Sequence, residues 1–109
     1  MNTRLKGQKS EFKCERELTN EGWLVYRVKG SSKFNKEVDI FGLFDILAIK
    51  IEKKKQKRKW IQVKTNKKLY GKQLKPFKDF KKDYCDVMDN VEVWSWFNYK
   101  GWFKKIIFG

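Results

Sequence analysis

The chain has 109 residues, which fits one small domain, and 40% of them are hydrophobic, including five Trp and nine Phe; this composition excludes a disordered basic tail. Its 27 basic and 13 acidic residues leave a net charge of +14, and the lack of histidine excludes Ser-His-Asp triads, Cys-His pairs and His-ligated zinc. We therefore expect one domain over residues 1–109 whose chemistry uses carboxylate, amide, lysine, tyrosine or serine groups.

The sequence also predicts where the protein resides. No apolar run approaches the roughly 20 residues needed to cross a bilayer, and the N-terminal residues lack the apolar core of a signal peptide. We expect a cytoplasmic protein without a membrane partner. Cys14 and Cys85 lie in separate segments without metal-ligand spacing, so we interpret them as two reduced thiols.

The first predicted element is a helix over residues 8–21, which contain no helix breaker and are followed by Gly22. Its three- and four-residue spacings place Glu11, Cys14 and Leu18 on one face. Glu11 is therefore predicted to face inward.

Strands are predicted next. Residues 23–30 alternate like a strand, and residues 41–52 form a nearly continuous apolar run typical of a strand covered on both faces, interrupted by Asp45. Residues 53–59, KKKQKRK, read as a cationic turn leading into the strand 59–65, so the two strands should form a hairpin.

The second half predicts a helix and a closing hairpin. Pro76 is well placed to begin a helix that runs to about Asn90, and residues 91–97 and 102–108 alternate around the polar turn NYKG. The apolar stripe of this helix comprises Phe77, Phe80, Tyr84, Val87 and Met88. The order αβββαββ predicts an α/β fold in which a central mixed β-sheet is flanked by helices.

The positive charge is concentrated in one third of the chain. Residues 50–82 hold 15 Lys or Arg and two acids, which favours a polyphosphate partner such as DNA over a small substrate. A solvated, solubilising face is the alternative interpretation. The predicted DNA-facing residues of the turn and the next loop are Lys53, Lys54, Lys55, Lys57, Arg58, Lys59, Lys67 and Lys68.

Four polar residues are candidates for catalysis. A carboxylate inside an apolar strand needs a compensating partner, and in a hairpin Asp45 can lie near Gln62 and Lys64, which share a strand face, with Glu11 arriving from the helix. Carboxylate and carbonyl oxygens at this density suit a hard cation such as Mg²⁺. Such an ion could bind a scissile phosphate while Lys64 orients the attacking water, which predicts phosphodiester hydrolysis.

Several short motifs between about residues 6 and 65 agree with this interpretation. They are Lys6-Gly7, Glu11, Gly22-Trp23, Arg27-Val28-Lys29-Gly30-Ser31, Phe44-Asp45-Ile46-Leu47-Ala48 and Ile61-Gln62-Val63-Lys64. The pattern resembles the PD-(D/E)XK nuclease superfamily, and most closely its small archaeal-type Holliday junction resolvases. The resemblance implies a restriction-endonuclease-like sandwich and a homodimeric endonuclease dependent on Mg²⁺ or Mn²⁺ that acts in DNA recombination.

The resemblance also implies roles for individual residues. Glu11, Asp45, Gln62 and Lys64 match the catalytic positions, and the metal ligands would be Asp45, Gln62, the Val63 carbonyl and Glu11. Two further residues, Arg27 and Ser31, match a loop that lies near the cleaved strand.

Two positions depart from the family pattern. Phe44 stands where a proline is frequent, which matters little because proline supplies no ligand. Gln62 replaces the usual acid, which removes one negative charge and should weaken metal affinity, although some members of the superfamily have Gln there. Asp39, six residues before Asp45, could supply a compensating carboxylate.

Alternatives remain open for the site and for the function. Asp45 could be an ion-paired core acid, Gln62 a satisfied core amide, Lys64 a strand-edge lysine and Glu11 a surface acid. The leading prediction is a metal-dependent DNA endonuclease selective for Holliday junctions or branched DNA. The alternatives are a non-catalytic nucleic-acid-binding protein on the same fold and an accessory subunit of a larger DNA-processing complex.

Overall fold

The computed structural model describes residues 3–28 and 39–108. The elements in chain order are α1 Thr3–Asn20, β1 Leu24–Arg27, β2 Ile46–Glu52, β3 Lys55–Thr65, a 3-10 helix Gly71–Leu74, α2 Lys75–Tyr84, β4 Asp89–Phe97 and β5 Gly101–Ile107. The predicted order αβββαββ is thus confirmed, with the short 3-10 helix added before α2.

The five strands form one sheet in the order β1-β2-β3-β4-β5. β3 and β4 are parallel, and the other neighbours are antiparallel. A parallel pair requires a crossover connection, and the 3-10 helix with α2 supplies it. The prediction of an α/β fold with a mixed central sheet flanked by helices is confirmed.

Each face of the sheet carries its own apolar cluster. The cluster under α1 comprises Cys14, Leu18, Ile46, Ala48, Ile61, Val63 and Trp94. The cluster under α2 comprises Phe44, Leu74, Phe77, Phe80, Val91, Val93 and Ile107. Val93 and Trp94 are consecutive in β4 yet belong to different clusters, as strand alternation requires, so both faces of this strand are covered.

The end of α1 lies close to the predicted place. Gly22 adopts φ 93°, a left-handed conformation that favours glycine, and its N–H donates to the Thr19 carbonyl at 3.0 Å. The Trp23 N–H donates to the Leu18 carbonyl at 3.0 Å, which closes the helix and sends the chain into β1. The helix begins at Thr3, earlier than the predicted residue 8.

The predicted cationic turn over residues 53–59 is wrong in extent. The turn consists of Lys53 and Lys54 alone, with φ 52° and 64°, because Glu52 pairs directly with Lys55. Residues 55–59 of the basic run belong to β3. Alternation along the strand lets their long side chains pack on both faces of the sheet. Lys59 Nζ, for example, lies 5.2 Å from the centre of the Trp23 ring.

The strand predicted for residues 41–52 begins only at Ile46. Phe41 and Gly42 have φ 55° and 70°, and the Phe44 N–H donates to the Ile40 carbonyl at 3.1 Å, so the chain turns before β2. The first predicted strand is also shorter, and its last residues, 29 and 30, lie outside the described residues.

The second predicted helix ends at Tyr84 rather than near Asn90. Asp86 accepts the Met88 N–H at 2.7 Å, and Asp89 accepts the Asp86 N–H at 3.0 Å; both bonds stabilise a turn in place of a further helical turn. Tyr84 and Val87 are consequently exposed instead of buried. None of the described helices is long and apolar enough to span a membrane.

Candidate active site

Asp45 lies where β2 and β3 begin to pair. Its N–H donates to the Ile61 carbonyl at 2.9 Å, and its Oδ2 accepts the Val63 N–H at 2.9 Å. Its own carbonyl accepts the Val28 N–H at 2.9 Å, which fixes the residue from the other side. The carboxylate is 9% exposed and is therefore held firmly at the end of the sheet.

Gln62 lies opposite Asp45, between the two residues of β3 that bond to it. Its side chain is buried, and its Nε2 approaches the Val63 carbonyl at 3.4 Å. Asp45 and Gln62 thus both contact the Val63 backbone, Asp45 at its N–H and Gln62, through its amide nitrogen, at its carbonyl. The structure brings these three residues into contact.

Glu11 reaches this region because α1 is attached to the end of β3. The hydroxyl groups of Ser10 and Thr65 are 2.6 Å apart, and Ser10 is buried. This bond fixes the rotation of α1 beside the site, and Glu11 is half-buried. Burial raises the pKa of Glu11, Arg27 opposes that shift and the Asp39 charge adds to it.

Asp39 and Glu11 both act on Asp45. Burial raises the pKa of Asp45 to about 8; the Val63 N–H opposes the shift, and the negative charge of Glu11 and both the charge and a hydrogen bond of Asp39 add to it. Three carboxyl groups thus interact here. The repulsion among them is relieved by a proton or a cation.

Lys64 lies farther along β3, two residues beyond Gln62 and on the same side of the strand. Ile61 and Val63 pack under α1, so alternation directs Gln62 and Lys64 to the other face, while Glu11 belongs to the α1 side. Asp45 precedes the first residue of β2, where the regular pairing of β2 with β3 ends, and lies between Glu11 on one side and Gln62 and Lys64 on the other. Lys64 is half-buried and forms no ion pair with a described residue.

Arg27 has contacts that the resemblance did not indicate. Its Nε lies 3.4 Å from Glu15 Oε1, and its guanidinium lies 4.0 Å from the centre of the Phe12 ring. These contacts join β1 to α1 and place a positive charge near Glu11. The other loop residue of the resemblance, Ser31, lies outside the described residues.

The predicted DNA-facing cations fall into two groups. Three lie on β3 and pair with acids of the chain: Lys57 with Glu52, Arg58 with Asp86 and Asp89, and Lys59 with Glu92. The others lie in the tight turn, at the start of β3 and after its end: Lys53, Lys54, Lys55, Lys67 and Lys68. The second group contains the exposed cations best placed for a phosphate backbone, although Lys68 is half-buried.

The donor chemistry of the site fits a hard divalent cation. Asp45, Glu11, the Gln62 amide and the Val63 carbonyl all offer oxygen, which Mg²⁺ and Mn²⁺ prefer. Among residues 3–28 and 39–108, no three acids or thiols form a ready-made metal-binding group, so the neutral oxygens of β3 would have to complete the set.

The sequence did not predict two features of the site. From the sequence, Asp39 is expected only as a compensating carboxylate, yet its charge and a hydrogen bond raise the pKa of Asp45. The chain turns between the two residues, through Phe41 and Gly42, and Gly42 is the local sequence signal for that turn. The Ser10 and Thr65 pair was not predicted, because two hydroxyl residues 55 positions apart carry no local pattern.

Comparison with known proteins leaves the site to be interpreted from its geometry. No family model matches the chain, and neither a curated protein nor a solved structure does. The resemblance to PD-(D/E)XK nucleases therefore stays a prediction.

Proposed function

We propose that the protein is a metal-dependent DNA endonuclease that hydrolyses phosphodiester bonds. The observation that carries this proposal is the buried Asp45 carboxylate, which is held by the Val63 N–H where β2 and β3 begin to pair and is subject to the negative charges of Glu11 and Asp39. The chain has 27 basic residues, yet none of the described ones forms an ion pair with Asp45. A buried carboxylate that has no ion pair with any described residue of so basic a chain suits a cation supplied from outside.

The metal would be held by Asp45, Gln62, the Val63 carbonyl and Glu11. When bound, Mg²⁺ or Mn²⁺ supplies a Lewis acid for the scissile phosphate and lowers the pKa of a bound water. Gln62 leaves the ligand set one charge weaker than an acid would, and the carboxylate of Asp39 supplies negative charge to the same region.

The residues of the chain provide the remaining parts of the reaction. Lys64 lies on the same strand face as Gln62, and its ammonium group could there hold a phosphate oxygen, orient the attacking water and offset developing negative charge. The lysines at 53, 54, 55 and 67 bind the DNA backbone outside the site. Val63 fixes the Asp45 carboxylate through its N–H, and its carbonyl is contacted by the Gln62 amide nitrogen.

The finer parts of the proposal are the substrate and the assembly. A Holliday junction or another branched DNA in recombination is the proposed substrate, and the motif resemblance supports it. A cytoplasmic location is proposed because the sequence contains neither a membrane-length apolar run nor the apolar core of a signal peptide. A homodimer is proposed because two symmetric cuts need two sites. No part of this proposal involves a membrane.

The test is a cleavage panel. Linear duplex, single strand, flap and four-way junction are incubated with the protein in Mg²⁺, Mn²⁺ or EDTA, and products are resolved on denaturing gels. Metal-dependent cutting that is strongest on the junction is the expected result. Absence of cutting on all four substrates in both metals contradicts the proposal.

Lys64→Ala should separate cleavage from binding. Loss of the ammonium group should reduce the cleavage rate by on the order of 100-fold or more. DNA affinity, measured by fluorescence anisotropy, should stay within about twofold, since one lysine among many contributes little to backbone binding. Lys78→Ala, an exposed lysine of α2, is the matched control and should cut at the wild-type rate. Cutting by Lys64→Ala at the wild-type rate would remove Lys64 from the mechanism.

A non-catalytic nucleic-acid-binding protein is the second candidate function. Gln62 in place of an acid, and the lack of a ready-made metal group among the described residues, favour it. Tight DNA binding without heat of Mg²⁺ or Mn²⁺ binding in calorimetry, and without cleavage, would identify this function. An accessory subunit of a larger DNA-processing complex would show the same result, and it would dock through an apolar groove of about 590 Å³ around Trp60 and Phe80.

A further inference from the structure

A second groove, of about 470 Å³, lies beyond the end of β3. Its floor is built by Asn66, whose N–H donates to the Trp96 carbonyl at 2.7 Å and whose Oδ1 accepts the Asn98 N–H at 3.2 Å. These bonds attach the loop after β3 to the turn between β4 and β5. One side of the groove is therefore a loop that is hydrogen-bonded to β4 and to the β4–β5 turn, and the volume of the groove is in the range of small-ligand sites.

The lining of the groove combines aromatic rings with positive charge. It includes Lys67, Lys68, Tyr70, Phe97, Lys100 and Phe103. None of the described residues that line it is acidic. Aromatic faces beside a phosphate-binding cation are what single-stranded nucleic acid requires, since bases stack while the backbone follows the charge.

The groove lies on the same face of the sheet as Lys64. Lys64 of β3 is paired with Ser95 of β4, and Ser95 is paired with Phe103 of β5. Residues paired directly across strands share a face, and neighbouring strands are about 4.8 Å apart, so Phe103 lies about 10 Å from Lys64. This distance is less than the length of two or three extended nucleotides, so one strand can occupy both places.

Lys68 already uses the aromatic faces of the groove. Its Nζ lies 4.0 Å from the centre of the Phe103 ring and 5.8 Å from that of Phe97. Phe103 is 42% exposed, so part of its ring is accessible from solvent. An incoming base can take the ring face from Lys68 and leave its ammonium group to bind the adjoining phosphate.

We infer that this groove binds an unpaired segment of DNA, with a base stacked on Phe103 and its phosphates on Lys67 and Lys68. The inference rests on the proposed function only in placing this segment beside the cleaved bond. It refines the substrate class to DNA that carries single-stranded nucleotides next to the cut, such as a flap or an open junction.

The binding test uses the full chain in EDTA, so that its result is independent of cleavage. Two fluorescent probes of about ten units are compared by anisotropy: oligothymidylate and an abasic oligomer with the same phosphodiester backbone. The wild-type protein should bind the oligothymidylate about tenfold more tightly, because base stacking adds to backbone attraction. Phe103→Ala should lose that preference, and Phe103→Tyr should keep it.

Two further variants separate the contributions. Lys68→Ala should weaken binding of both probes. Tyr84→Ala removes an equally aromatic side chain, 78% exposed at the other end of the α2 face, and should bind both probes like the wild type. Equal binding of the two probes by the wild type would overturn the inference, and so would an unchanged preference in Phe103→Ala. It would also be overturned if polyglutamate displaced oligothymidylate as readily as the abasic oligomer does.

The outcomes distinguish this inference from the proposed function. A base preference that depends on Phe103, found in a protein that cuts no DNA, would support the groove and contradict the nuclease. Metal-dependent cleavage together with an unaltered preference in Phe103→Ala would support the nuclease and overturn the groove.

Discussion

Asp45 and Asp89 are two buried aspartates of one sheet, 9% and 4% exposed, with opposite surroundings. Asp89 accepts hydrogen bonds from the guanidinium of Arg58, the Trp60 indole N–H at 3.1 Å and the Asp86 N–H at 3.0 Å. Asp45 accepts the backbone N–H of Val63 and has like charges nearby. Within residues 3–28 and 39–108, the chain pairs the first carboxylate with Arg58 and pairs the second with no cation.

The pKa values follow this difference. Burial alone would raise the pKa of Asp89, but Arg58, the Asp86 N–H and Trp60 more than offset it and hold the pKa below its usual range. The pKa of Asp45 is raised to about 8. A buried acid that its own chain stabilises is explained by structure, whereas one that its neighbours destabilise is typical of a functional site.

The largest expected effect comes from Asp45→Asn. The amide oxygen can still accept the Val63 N–H, but the charge needed to hold a cation is lost, so the cleavage rate should fall by at least about 100-fold. The melting temperature of the metal-free protein should not fall at pH 7, because the raised pKa of Asp45, about 8, leaves its carboxyl group mostly protonated there, and an amide is a neutral replacement of the same shape. Cleavage at the wild-type rate, or a strongly lowered melting temperature, would make Asp45 a structural acid like Asp89.

The matched variant, Asp89→Asn, should change stability and leave the reaction intact. Losing the charged bonds to Arg58 should reduce the free energy of unfolding by about 1–3 kcal/mol at pH 7, measured by urea denaturation. Because the folded-state pKa of Asp89 is lowered, its stabilisation is present above the unfolded-state value, near 4, and is lost as the pH falls through the folded-state value.

The difference between wild type and Asp89→Asn should therefore shrink as the pH is lowered from 7 towards 3. The cleavage rate per folded molecule should match the wild type. A difference in stability that does not depend on pH would show that packing, and not the carboxylate charge, explains the loss.

Hydrophobic patterns were enough to predict the fold, because both apolar runs and the αβββαββ order follow from local periodicity. They were not enough for residues 55–59, whose lysines have low strand propensity; pairing with β2 and β4 overrides that propensity. Asp45 could be selected from the sequence because a lone acid in an apolar run is anomalous. The difference between Asp45 and Asp89 could not be predicted from the sequence. It depends on the positions of Arg58 and Asp39, which are determined by the tertiary structure.

Gln62→Glu should sharpen the contrast by adding an acid to the Asp45 cluster. One more negative ligand should tighten Mg²⁺ binding by on the order of tenfold, measured by calorimetry, because affinity for hard cations rises with the charge of their ligands. The metal-free variant should be less stable than the wild type because repulsion increases. Gln62→Met, similar in size and without a ligand oxygen, is the control and should weaken metal binding. Equal Mg²⁺ affinity in all three proteins would place the ion elsewhere.

The turn between β2 and β3 also contains a feature that destabilises the chain, as the charges around Asp45 do. Here the feature is backbone strain instead of buried charge. Lys53 and Lys54 occupy left-handed conformations that Asn and Gly adopt more readily. Replacing them with Asn and Gly should raise the free energy of unfolding by about 1 kcal/mol. If the two lysines bind phosphates, the same variant should bind duplex DNA less tightly and reduce the slope of log affinity against log salt by about two. A stabilised protein with an unchanged salt slope would show that this strained turn faces solvent and not DNA.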